Sequence, residues 1–510
     1  MNWIIALAIV IYLGGMLLIG FKTSKENKTT DDFYLGGRKL GPYVTAMSAE
    51  ASDMSGWLLM GLPAVALMTG LPEAVWTALG LGIGTYVNWL IVAKPLRRYT
   101  EKINAVTLPE FFSKRFGDKK NVLSLISAVI IIVFFVPYTA SGFAACGKLF
   151  SSIFGMKYVT AMVISAAVIV IYCTLGGFLA ASTTDLVQSI VMSIALFVIL
   201  GLSEGIIGGF DAVIENVRNL DGYLNVFQGF DVAAGTTESF TPLTIASTLA
   251  WGLGYFGMPH ILLRFMAIDD PSKLKVSRRV ATVWVFISMF CAVLIGIVGY
   301  SLMKEGIVGP YTSSSDAETI IVDISGFIAT RGYIPSFVAG IFLSGILAST
   351  MSTADSQLIA ASSSVTRDIL IDTFKLNLKE KTVMLLARAS VVAISVIAVF
   401  LALDPESSVF DIVSFAWAGF GAAFGPVVLI ALFWKRANKY GAISGMLAGG
   451  ATVFIWKFVI RTKFAGTVLD IYELLPAFLV AVAVIVIVSL LTKKPDDEVV
   501  ETFNEFKLSK

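Results

Sequence analysis

Two carboxylates, Glu50 and Asp53, lie inside the long apolar stretch that begins at Pro42. At about 1.5 Å per helical residue, Asp53 falls roughly 17 Å into that stretch. A carboxylate at the centre of a membrane helix costs about 2.5–3.5 kcal/mol on insertion scales, so it is retained for an ion, a substrate or a paired charge. Around these two, Gly56, Gly61 and Pro63 weaken helical continuity, which predicts an unwound turn where the carboxylates sit. A second apolar segment, starting at Trp251, is interrupted by Gly252, Gly254, Gly257 and Pro259. Interrupted spans at corresponding positions point to two related halves with a midplane site between them, because freed carbonyls and half-helix ends can coordinate cations and solutes. A third feature is a hydroxyl stripe: Ser349, Ser352, Thr353 and Ser356, at offsets 0, 3, 4 and 7, share one helical face. A hard cation such as sodium prefers oxygen ligands, and two hydroxyls with three carbonyls from an unwound turn supply them. Asp355 adds a charge beside the stripe.

Each feature also has a plainer explanation. Serine and glycine stripes mediate close helix packing in membranes, and Asp53 fits a buried structural pair. Trp57, Tyr138, Trp251 and Tyr255 each fit a core or interface aromatic. His260, the single histidine, adjoins Arg264 near the inner end of a span and reads as an interfacial residue without a role. Cys146, Cys173 and Cys291 are far apart in apolar runs and form no metal or disulfide pattern.

The elements that hold these residues are membrane helices. Of 510 residues, 56% are hydrophobic and only 15% charged, and the net charge of +2 gives no footprint for a nucleic acid. Stretches long enough to cross about 30 Å of hydrocarbon fall near 2–21, 42–71, 73–96, 122–151, 157–180 and 183–208, then 243–265, 279–303, 333–360, 383–403, 408–434, 440–461 and 472–491. The expectation is an all-α polytopic membrane protein of about thirteen spans in the cell (inner or plasma) membrane, forming one transporter domain. Within it, 1–41 hold the first span and its loop, 42–208 and 243–434 the two repeats, 440–491 two further spans and 492–510 a short charged tail. Every second loop is basic: Lys22, Lys25, Lys28, Arg38 and Lys39, then Arg97, Arg98, Lys114, Arg115, Lys119 and Lys120, with later clusters at Lys273–Arg279, Arg367–Lys381, Lys435–Lys439 and Lys493–Lys494. The segment from Gly208 to Pro242 instead carries Asp211, Glu215, Asp221, Asp231 and Glu238 against Arg218. By the positive-inside rule the N-terminus lies outside and the C-terminus in the cytoplasm. The turn near Gly176 and Gly177 has no basic residue, so the division between spans five and six rests on length alone.

On its motifs the chain resembles the sodium:solute symporter family, most closely the proline-transporting branch, over nearly its full length. The resemblance is carried by YLGGR from Tyr34, ASDMSGWLLMGLP from Ala51, WGLGYF from Trp251 with PHI from Pro259, MST from Met351, and AWAGFGAAFGP from Ala416. It implies two inverted five-helix repeats, spans two to six and seven to eleven, that alternate between outward-open and inward-open states. It implies a sodium ion, the co-transported cofactor, on the carbonyls of Ala51, Met54 and Ser349 and the hydroxyls of Ser352 and Thr353, with Asp53 essential nearby. The solute, expected to be L-proline, lies against Ser55, Gly56, Trp57, Tyr138, Trp251, Tyr255 and Pro259. Some relatives bind a second sodium, and Asp185, Ser352, Asp355 and Ser356 match that site. The chain departs from the proline branch at Ser349, usually alanine; at Glu50, usually small; at Met258, usually glutamine; and at Asp355, usually a hydroxyl residue. Glu50 and Met258 lie beside the expected solute pocket and bear on which solute is taken. Glu50 is suited to neutralising a substrate amine, taking up a proton or pairing with a cation. The function expected is sodium-coupled symport of a small amino acid by a chain able to work as a monomer, not enzymatic catalysis. The alternatives are a proton-coupled or differently selective transporter of the same fold and, more remotely, a membrane sensor.

Overall fold

A computed structural model describes residues 2–24 and 30–508. Lys25, Lys28 and the last residues of the tail lie outside the described residues, as does the side chain of Glu238. Among the described residues, ten helices are long and apolar enough to cross a membrane, and the pair Pro42–Asp53 and Trp57–Thr69, bent by 61° at its break, makes an eleventh span. The other two expected spans take different forms. The fifth is a helix of 17 residues, Tyr158–Thr174, and the sixth runs Gly177–Ile207. The break falls at Gly177, in the turn expected near Gly176 and Gly177 and a few residues before the expected span limits of 180 and 183; its φ of 65° and ψ of −179° are a conformation no side chain could follow without strain. The seventh is in pieces: Pro242–Leu249, a tight 3₁₀ stretch Ala250–Phe256, and Pro259–Ala267. Thirteen is thus an accounting of segments, eleven of which span by length and apolarity.

The break in the seventh span follows from local sequence. Pro42 and Pro259 occupy the first turns of helices, where a missing N–H costs nothing. Gly252 and Gly254 allow the seventh span to press against its neighbours. A Cβ on Gly84 would lie 2.4 Å from the Gly252 Cα, and one on Gly254 only 1.9 Å from Trp417 Nε1, so the third and eleventh spans close directly on the broken backbone. The loop after the first span is tied to the end of the seventh by Leu40 N–H donating to Ala267 O (3.1 Å) and Asp269 N–H to Leu40 O (3.0 Å). Arg38 secures the same corner by donating to Met266 O at 2.6 Å and Ala105 O at 2.7 Å. Between the sixth and seventh spans, Gln228–Asp231 pairs antiparallel with Thr236–Ser239, Gln228 opposite Ser239. A short apolar helix, Ile320–Ala329, precedes the ninth span and was not anticipated as an element.

Candidate ion and solute site

The break in the second span frees two carbonyls. In a continuous helix Ala51 O would accept from Ser55 N–H and Met54 O from Leu58 N–H. Here Ser55 N–H turns to Asp53 O (2.8 Å) and Leu58 N–H to Ser55 O (3.1 Å). The ninth span meets this turn. Ser352 Oγ donates to Ala51 O at 2.7 Å and lies 3.1 Å from Ser349 O, while the Ser349 hydroxyl turns back on Ile346 O at 2.8 Å. Thr353 Oγ1 is buried without a hydrogen-bond partner. A buried hydroxyl left unpaired costs about 1–3 kcal/mol. Ala51, Ser349 and Ser352 are thus in contact, with Thr353 next to Ser352 on the ninth span and Met54 in the same turn as Ala51.

Asp53 ends the first half of the second span and is fully buried. Its Oδ2 accepts from Tyr255 Oη at 2.6 Å, and its carbonyl accepts from Trp57 Nε1 at 3.1 Å and Tyr138 Oη at 3.2 Å. One residue thus gathers three of the expected solute-site aromatics. Trp57 lies 6.1 Å from Trp251, ring centre to ring centre. Ser55 and Gly56 form the turn itself, and Met258 and Pro259 stand where the seventh span resumes. Together these groups form an aromatic, buried junction of the two broken spans.

Glu50 faces the third span. Its Oε1 accepts from Thr85 Oγ1 and Trp89 Nε1, both at 2.9 Å, and no cationic side chain pairs with it among the described residues. Asp185, Asp355 and Ser356 are brought together, but around a guanidinium: Arg264 Nη2 lies 3.3 Å from Asp185 Oδ2 and 2.5 Å from Ser356 Oγ. His260 is not interfacial. It is fully buried, its ring 5.5 Å from Phe135 and 6.4 Å from Tyr138, because the break at Gly257 draws the start of its helix into the core.

Sequence reasoning missed three contributors. Trp417 Nε1 donates to Trp251 O at 2.7 Å and its ring meets Tyr255 edge-on at 5.1 Å. Asn88 Nδ2 donates to Tyr255 O at 3.0 Å. Tyr472, from the start of the last span, stacks on Trp251 at 5.1 Å and donates to Ser414 O at 2.7 Å. Trp417 stood in a quoted motif and was available from it. A cavity of about 1030 Å³ lies above this floor, lined by Trp251, Phe410 and Tyr472 on the side of the Gly208–Pro242 loop.

A description of the sodium:solute symporter family matches residues 33–449. A sodium/proline symporter of Haemophilus influenzae is 43% identical over 97% of this chain and 96% of its own. An osmoregulated proline transporter of Bacillus subtilis is 41% identical over 96% and 95%. In fold, the chain is similar to a substrate-bound outward-open Na+-coupled sialic acid symporter, at TM-score 0.77 and 18% identity over 97% of this chain and 99% of that one. A nucleobase-cation-symport-1 family transporter shares the fold more distantly, at TM-score 0.52 and 11% identity over 93% and 98%. The chain belongs to the sodium:solute symporter family.

Proposed function

We propose that the chain imports L-proline together with sodium by alternating access. The observation that carries this is the cage at the break of the second span: carbonyls of Ala51, Met54 and Ser349, the Ser352 hydroxyl that touches two of them, and the unpartnered Thr353 hydroxyl. Sodium bound there fixes the turn and, through Asp53, the positions of Tyr255, Trp57 and Tyr138. Solute bound against Ser55, Gly56, Trp57, Tyr138, Trp251, Tyr255, Met258 and Pro259 then meets an ordered wall. The coupling is reciprocal, so solute also raises sodium affinity. Each sodium moving inward contributes about 2.3 kcal/mol per 100 mV of membrane potential. Residues 42–208 and 243–434 act as the two inverted repeats, with 440–491 as a buttress. The basic loops support an N-terminus outside and a C-terminus in the cytoplasm, and because every residue of the proposed cage comes from one chain the protein works as a monomer and as a transporter, not an enzyme.

A second solute on the same fold is favoured by Glu50, whose Oε2 is buried and unpartnered beside Asp53. Uptake of labelled L-proline into proteoliposomes, with an imposed inward sodium gradient and unlabelled amino acids as competitors, separates the two. Uptake that follows a proton gradient and ignores sodium overturns the sodium assignment.

A further inference from the structure

We propose that a groove between the second, sixth and eighth spans binds one phospholipid with an anionic headgroup. The eighth span, helix Leu274–Lys304, begins with a basic turn that holds Lys275, Arg278 and Arg279. Two neighbouring cations are already engaged: Arg278 lies over the Tyr86 ring at 5.3 Å, and Lys273 pairs with Asp269 at 2.6 Å. Lys275 and Arg279 are exposed, and neither has a hydrogen-bond or ion-pair partner among the described residues. Arg279, Val283 and Ile287, four residues apart, lie on one side of the helix, with Lys275 one turn before them.

Arg279 and that side of the helix border a groove of about 460 Å³, bounded across from them by Phe197 of the sixth span and Met47 of the second. Trp284 also lines it and is fixed by donating from Nε1 to Ser193 Oγ at 2.8 Å, which ties the sixth and eighth spans together along the groove. Phe197, Val283 and Ile287 remain 53%, 59% and 43% exposed. On membrane helices such exposure is to hydrocarbon. Ile287 is about 12 Å along the helix from Arg279, a length that suits an acyl chain lying under its own headgroup. A helix of a second protein, about 10 Å across, is too wide for a groove of this volume. Free cations above an apolar groove complement a phosphodiester above a chain. A zwitterionic lipid brings its own cation to the phosphate, whereas an anionic one leaves that charge for Lys275 and Arg279. Met47 lies on the half-span Pro42–Asp53, so the bound lipid braces against the sixth and eighth spans the same element that ends at Asp53. The binding does not depend on which solute or ion is carried.

The test is native mass spectrometry of the full chain, released from detergent after exchange into mixed micelles of phosphatidylglycerol or phosphatidylcholine. Wild type should retain one phosphatidylglycerol in preference to phosphatidylcholine. K275Q/R279Q should weaken phosphatidylglycerol binding about fivefold for each charge removed and lose the preference. K379Q/K381Q, which removes two exposed charges from another basic loop, should keep it. V283W leaves both cations in place and fills the groove, so it should also lose the retained lipid. Equal retention of the two lipids by wild type, or a preference that survives in V283W, would overturn the inference, the latter by showing attraction to basic residues alone. A chain that appears as a dimer without lipid, and becomes monomeric in V283W, would overturn it in favour of a second copy on this face. Thermal unfolding of each variant in plain detergent confirms that it is folded; if V283W is not, the wild-type preference and its loss in K275Q/R279Q but not in K379Q/K381Q decide.

Discussion

Replacing Thr353 by Val separates an ion ligand from a packing residue, because the two roles predict opposite signs in the absence of sodium. Thr353 is 3% exposed and its Oγ1 has no partner, whereas its neighbour Ser352 is hydrogen-bonded across to the second span. Valine keeps the branched shape and removes the unpaired hydroxyl, whose burial costs about 1–3 kcal/mol. The sodium-free T353V protein is therefore expected to be as stable as wild type or more so by about 1 kcal/mol. With sodium bound, the variant lacks one charge-assisted contact, worth about 1.5–3 kcal/mol, so its sodium affinity falls about 10- to 100-fold. At sodium 100 times the wild-type Kd, the ion stabilises wild type by about 2.7 kcal/mol; a hundredfold weaker site gains only about 0.4 kcal/mol under the same conditions. Thermal unfolding in detergent, with sodium or an inert cation, reads both numbers. A T353V protein destabilised without sodium, or one that keeps the full sodium-induced shift, would refute the role assigned to this hydroxyl.

Other expectations follow from the same contacts. Asp53→Asn, which removes the charge that accepts from Tyr255 at 2.6 Å, should abolish sodium-driven uptake while leaving a folded protein by size-exclusion chromatography. Lys148→Met breaks the buried pair with Glu318 (2.7 Å) and should lower stability by about 3–5 kcal/mol, largely recovered in Lys148→Met/Glu318→Gln; equal losses in single and double variants would contradict this. Gly84→Ala forces a Cβ to within 2.4 Å of the Gly252 Cα. Overpacking of that kind costs about 1–3 kcal/mol or more, so uptake and thermal stability should fall together. Tyr472→Phe deletes the bond to Ser414 O but keeps the stack on Trp251, so solute KM should rise less than in Tyr472→Ala.

The spans, the two broken segments and the hydroxyl stripe could all be read from local sequence, because a membrane helix must satisfy its backbone internally and any glycine or carboxylate in it stands out. The convergence of Ala51, Ser349 and Ser352 was reached through the motif match, and the packing that achieves it is visible only in three dimensions. The residues missed depend on contacts between distant segments. Arg264 stands in the sequence only as a neighbour of His260 near the inner end of its span, whereas in the fold its guanidinium meets Asp185, 79 residues earlier. Tyr472 belongs to a span with no polar pattern, yet its backbone N–H bonds Ser247 Oγ at 2.7 Å, which sets its ring on Trp251. Glu50 was visible as a misplaced charge, but its orientation toward Thr85 and Trp89 follows from how the second and third spans cross.

The central claim is that sodium bound between the second and ninth spans drives solute uptake. Counterflow-free uptake of labelled L-proline in proteoliposomes, with and without an inward sodium gradient, tests it most directly. Accumulation above equilibrium that requires sodium, is competed by unlabelled proline and is lost in Asp53→Asn is the predicted result. Equal uptake with and without sodium, or accumulation that survives in Asp53→Asn, would contradict it.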